Sequence, residues 1–233
     1  MKRGVVIILI LSVSLAGCAY NGTVQSQLSD NVFQRQNLPI RTLSACVISD
    51  GSWPRESIVA MVDGFSNSMA EQVGIRVRID RWIDHRIPSF VPQEGLQNLV
   101  EIIGKEQRNY DLVIGFSSRG VVSNALELVS WTAWLGAIDD TYRKFIIIKQ
   151  LDQRVLTHEI CHAFVFDRRH STNGVMSAAI VKFPLVPILF NFPEYVSTED
   201  REEILQNKWR DFNEKPSIPE QDQADTVVLP RAE

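Results

Sequence analysis

From residue 42 onward the chain switches between two hydrophobic rhythms, one of period two and one near 3.6, and each switch marks a new element. Residues 42–50 (TLSACVISD) are a mostly apolar run of strand length. Residues 53–74 place Ile58, Met61, Val62, Phe65 and Met69 at helical spacing, with Gly74 as the stop. Residues 75–82 (IRVRIDRW) alternate apolar with charged, as a half-exposed strand does. A second helix is predicted over 93–105, striped by Leu96, Leu99, Val100 and Ile103. Strands are expected at 110–116 (YDLVIGF), more weakly at 131–137, and strongly at 144–149 (KFIIIK).

Helical spacing returns over 153–166, and Asn173-Gly174 signals a turn within 171–177. Residues 183–195 are apolar but cut by Pro184, Pro187 and Pro193, so they cannot form one helix. A last helix opens at Thr198, the predicted N-cap, with acidic residues in its first turn where they suit the helix dipole. It carries Ile204, Leu205, Trp209 and Phe212. These elements predict one α+β domain over 41–213, about 170 residues and enough to bury a core unaided. Residues 214–233 are rich in Pro, Gln and acid, have little to bury, and are expected to be a disordered tail.

The start of the chain is different in kind. Lys2 and Arg3 precede a twelve-residue apolar run, residues 4–15 (GVVIILILSVSL), of the length of a secretory signal's apolar region and short for a membrane span. Leu15-Ala16-Gly17-Cys18 follows at once and resembles the lipobox of bacterial lipoproteins. The resemblance implies a signal peptide over 1–17, cleavage before Cys18, acylation of Cys18 and anchoring to a bacterial envelope membrane. With Ala19 rather than Asp next, that is the outer membrane if the host is Gram-negative. Residues 18–40 then read as the lipidated cysteine and a polar tether.

Charge narrows the partners. With 24 basic and 28 acidic residues the formal charge is −4, about −6 once Lys2 and Arg3 are gone, so no overall basic field favours nucleic acid. Cys46 and Cys161 remain after Cys18, too few for a disulfide scaffold, and either a bridge between them or two buried thiols is consistent with the sequence.

The four histidines lie at 85, 158, 162 and 170, three of them crowded. On a helix, residues four apart differ by about 40° around the axis, so His158 and His162 point the same way and can share one ion. Zinc suits two such nitrogens, and Glu159, about 100° round from His158, can reach a water there without ligating the ion. A catalytic zinc needs a third protein ligand. His170 is the first candidate, with Asp167 or a downstream Glu194, Glu199 or Glu202 as alternatives, and His85 reads as a surface residue.

Residues 157–177 (THEICHAFVFDRRHSTNGVMS) resemble the active-site segment of metzincin zinc peptidases, particularly matrixin-like and archaemetzincin-like members, with their HExxHxxGxxH and a methionine turn beneath the metal. His158, Glu159 and His162 match by position, His170 resembles the third histidine, and Met176 the methionine of the turn. Val165 stands where the family has glycine and Arg168 where it has the third histidine, so His170 comes two residues late and the helix exit must be built without that glycine.

The resemblance implies a zincin-like mixed twisted sheet with two N-terminal helices, the HExxH helix, the Met-turn and a C-terminal helix. It implies one Zn2+ ion, a peptide or protein substrate, and Glu159 as general base. Phe183, Leu185, Ile188 and Phe190 fall where the family's specificity-pocket wall comes. Two other readings stay open: a non-catalytic envelope lipoprotein with a zincin-like binding domain, and a gluzincin-like peptidase whose third ligand is a downstream Glu.

Overall fold

Three of the apolar runs become the buried middle of one sheet. The computed structural model describes residues 38–87, 91–106, 108–117, 135–166, 171, 173–177 and 195–217. In chain order its elements are β1 (Arg41–Ser49), α1 (Arg55–Gln72), β2 (Ile75–Asp84), α2 (Pro92–Ile103), β3 (Leu112–Phe116), β4 (Gly136–Ile138), β5 (Phe145–Ile148), α3 (Gln153–Cys161) and α4 (Thr198–Asn207). The strands lie in the order β2-β1-β3-β5-β4. β2, β1, β3 and β5 are parallel to their neighbours, and β4 runs antiparallel to β5.

A parallel sheet covered on both faces needs strands that are apolar on both sides. β1 meets this by alternation: Leu43, Ala45 and Val47 face one core, Cys46 and Ile48 the other. The first core is closed by α1, through Ile58, Val62, Phe65 and Met69, and by α3, through Val155, Leu156 and Ile160. The second is closed by α2, through Leu99 and Ile102. β2 buries Ile75 and Val77 but exposes Arg76 and Arg78, charges that keep this sheet margin from pairing with another chain.

Cys46 and Cys161 therefore lie on opposite faces of the sheet, both buried and both free, so the bridge left open by the sequence is not made. His85 is exposed, as expected.

Most predicted elements stand within two residues of their expected bounds, and the exceptions have local causes. The predicted strand at 131–137 appears as Gly136–Ile138, with 131–134 outside the described residues. The predicted helix over 153–166 ends at Cys161. The last helix is capped one residue earlier than expected: Ser197 Oγ accepts from the backbone N–H of Asp200, and Thr198 is the first helical residue. Trp209 lies beyond that helix and is 60% exposed, so it is not part of a buried stripe. Phe212 is buried as expected. Among the described residues no helix is long and apolar enough to cross a membrane. The apolar run at 4–15, Cys18, most of the tether and the tail beyond 217 lie outside the described residues.

Candidate active site

α3 follows β5 after a four-residue connection, residues 149–152, the last of which, Asp152, caps the helix by accepting from the backbone N–H of Arg154 at 2.8 Å. Packing then sorts its side chains. Residues 154–157 and 159–161 are buried, and His158 and His162 are half-buried, so the pair faces outward together. Their Nε2 atoms are 3.1 Å apart, with the rings edge to face. Two nitrogens each bonded to one zinc at a tetrahedral angle lie about 3.3 Å apart, so this pair has the separation a single ion requires.

The tautomer of His158 follows from its other nitrogen. Nδ1 lies 2.9 Å from the carbonyl oxygen of Val175, which can only accept, so Nδ1 carries the hydrogen and Nε2 is the coordinating atom. Val175 belongs to the turn predicted from Asn173-Gly174. Gly174 has φ +77°, and Ser177 N–H donates to the Gly174 carbonyl to close the turn. A Cβ at Gly174 would meet Tyr195 O at 2.8 Å, so glycine is required here by both conformation and space. Met176 is buried in the same turn.

Glu159 points from α3 under the edge of the sheet, where a Cβ on Gly136 would stand 2.6 Å from its Cγ. Burial pushes its carboxyl up to about 8. Among the described residues β4 is the outermost strand on this side, so the carboxyl lies beside the sheet's last backbone.

The exit from α3 is built from side chains of other segments. The carbonyls of His162, Ala163, Phe164 and Val165 accept, in turn, from Arg143 Nη1 (3.1 Å), Arg210 Nη1 (3.0 Å), Asn207 Nδ2 (2.8 Å) and Arg143 Nη1 (2.6 Å). Four consecutive carbonyls at a helix end are thus satisfied without the usual left-handed glycine, which is how Val165 is accommodated. Nothing near the motif announces Arg143, Asn207 or Arg210. The one sequence signal is indirect: a missing exit glycine implies donors from elsewhere.

His170 and Asp167 lie outside the described residues, as do Glu194 and Phe183, Leu185, Ile188 and Phe190. The residues on either side of 167–170 both bond to α4: Phe166 N–H donates to Glu203 Oε1 at 2.6 Å, and Ser171 Oγ to Asp200 Oδ2 at 2.8 Å. Among the described residues no three His, Cys, Asp or Glu are grouped to hold an ion. Among the described residues, Glu199, Glu202 and Glu159 thus do not complete such a group with the histidine pair.

No protein-family model matches the sequence, and no curated protein matches it. Among solved structures the chain is similar to archaemetzincin from Methanopyrus kandleri, at 17% identity and a TM-score of 0.50, over 72% of this chain and 97% of that one. Metalloproteinase-II from Bacteroides fragilis (12% identity, TM-score 0.46) aligns over 76% of this chain and 60% of its own. A zinc-dependent peptidase from Methanocorpusculum labreanum (10%, 0.40) aligns over 69% and 99%. At these identities a likeness speaks for the fold, and the first of the three carries it: a mixed α+β architecture similar to that of archaemetzincin.

Proposed function

We propose that this protein is a zinc-dependent endopeptidase. The observation that carries the reading is the outward-facing Nε2 pair of His158 and His162, 3.1 Å apart, with His158 set in the coordinating tautomer and a buried carboxyl on the residue between them. His158 and His162 would hold the ion, with His170 as third ligand. A zinc ion so held supplies Lewis-acid polarisation of the water and of the scissile carbonyl.

The chain's own part in the reaction is proton movement. Glu159 accepts a proton from the attacking water as its oxygen bonds to the carbonyl carbon. It then delivers that proton to the leaving amine nitrogen as the C–N bond breaks, giving a carboxylic acid and an amine, which ionise to a carboxylate and an ammonium. Its burial favours this role, because a carboxylate kept from solvent is a stronger base than one in water. The peptide is proposed to lie extended along β4, where backbone pairing places the scissile bond near Glu159 without needing charge. Met176 is assigned the role of the Met-turn methionine, and Phe183, Leu185, Ile188 and Phe190 that of the pocket wall. Cys18 is assigned the lipid that tethers the domain to a bacterial envelope membrane.

Glu159→Gln tests the mechanism: zinc content should stay stoichiometric while peptide hydrolysis falls by at least about 1000-fold. Retained hydrolysis would exclude Glu159 as the base, and absence of zinc from the wild type would favour the non-catalytic binding reading. His170→Ala should lose zinc, and undiminished affinity would move the third ligand to Asp167 or Glu194. Cys18→Ala should shift the protein from the membrane to the soluble envelope fraction.

A further inference from the structure

Arg154 is an expensive residue to place where it stands. It sits in the first turn of α3, where the helix dipole disfavours a cation, and it is only 7% exposed. The helix is already capped by Asp152 and needs nothing from this side chain.

Arg154 Nη2 reaches away from the helix to the turn at 174–177, donating to Ser177 O at 3.1 Å and approaching Ser177 Oγ at 3.4 Å. One helical turn further on, on the same face, His158 Nδ1 donates to Val175 O at 2.9 Å. The two side chains are parallel rungs between one helix and one short turn, 154 to 177 and 158 to 175. The far side of the turn is held by Val175 N–H donating to Tyr195 O at 2.7 Å. Without the guanidinium rung, the end of the turn at Ser177 loses its anchor to α3, and the Val175 carbonyl is fixed from one side only.

We infer that Arg154 is a positioning residue: by tying Ser177 to α3 it holds the Val175 carbonyl where it sets the tautomer of His158, and so aims His158 Nε2 at the metal. This rests on the metal reading above, but its first readout does not. In the metal-free full-length protein, with 15N-labelled histidine, His158 is expected to be a single Nδ1–H tautomer by NMR. Arg154→Met should turn it into a mixture of tautomers and weaken Zn2+ binding by about 10- to 100-fold in competition with a chromophoric chelator. Arg154→Lys, which keeps one charged donor, should restore the single tautomer and most of the affinity.

A purely structural arginine would lower the melting temperature of Arg154→Met while leaving tautomer and zinc affinity alone, and that result overturns the inference. Should Arg154→Met not fold, Arg154→Gln carries the comparison with the same expected and overturning results. Failure of the wild type to bind Zn2+ would overturn the metal reading, while the tautomer comparison would still decide whether Arg154 positions His158.

Discussion

Gly136 and Glu159 set the clearance between β4 and α3. Because a Cβ at 136 would fall 2.6 Å from Glu159 Cγ and 2.7 Å from its Oε1, Gly136→Ala must displace the carboxyl. The expected result is a drop in kcat/KM of about tenfold or more with zinc content unchanged, read by peptide hydrolysis and elemental analysis. Cys46 gives a second residue-level test. Burial, with Glu106 adding to it and Arg81 opposing, pushes its thiol from the ordinary 9.0 up to about 12. The folded protein thus holds this proton when the unfolded chain has lost it, so the contribution to stability is intact below pH 9 and is lost as pH rises from there towards 12. Urea midpoints should fall less steeply over that range for Cys46→Ala than for the wild type. Native Cys46 should also resist alkylation at pH 8 until the chain is unfolded.

At the scale of elements, α3 has a beginning that is local and an end that is not. Asp152 caps its start from the adjacent position, whereas its last carbonyls are taken by residues 19 to 47 positions away. Arg143→Met and Arg210→Met should each cost about 1.5–3 kcal/mol by denaturant midpoint, the scale for hydrogen bonds to a charged group in buried surroundings. The double variant should depart from additivity, because both guanidinium groups serve one turn and both lie over Phe166. The same contrast explains what could be read in advance. β1, β3, β5 and the start of the helix bearing His158 follow from local periodicity, so these expected bounds are close. The end of α3 depends on distant donors, and a pattern that stays apolar through Val165 and Phe166 reads as helix past the true stop. Ser197 outcompetes Thr198 as cap because its hydroxyl both accepts from Asp200 N–H and donates to the Asp200 carboxylate, a reciprocal arrangement that two adjacent hydroxyl residues do not reveal.

Across the whole molecule, the chain after α4 ties the beginning of the sheet to the end of α3. Arg41 donates to the carbonyl of Lys208, and Lys208 Nζ to that of Pro39. Phe212 packs edge to face on Phe164 and lies under the guanidinium groups of Arg41 and Arg210. Truncation after residue 217 should leave the melting temperature unchanged. Truncation after 207 removes Phe212 and Arg210 and should lower it by on the order of 10 °C or more. Of this arrangement only the burial of Phe212 was legible, since the cations around it come from both ends of the domain.

The sheet has one more effect at this scale, through the two thiols that it keeps apart. With Cys46 behind one face and Cys161 behind the other, the folded domain gains nothing from an oxidant and loses nothing to a reductant. Its unfolding midpoint should be no higher in oxidised than in reduced glutathione buffer, and any difference should be a fall on oxidation, because only the unfolded chain can form the bridge. The hazard is confined to the unfolded chain, in which the two sulfurs are free to meet and a bridge between them would bar the way back to a fold that holds them on opposite sides of a wall.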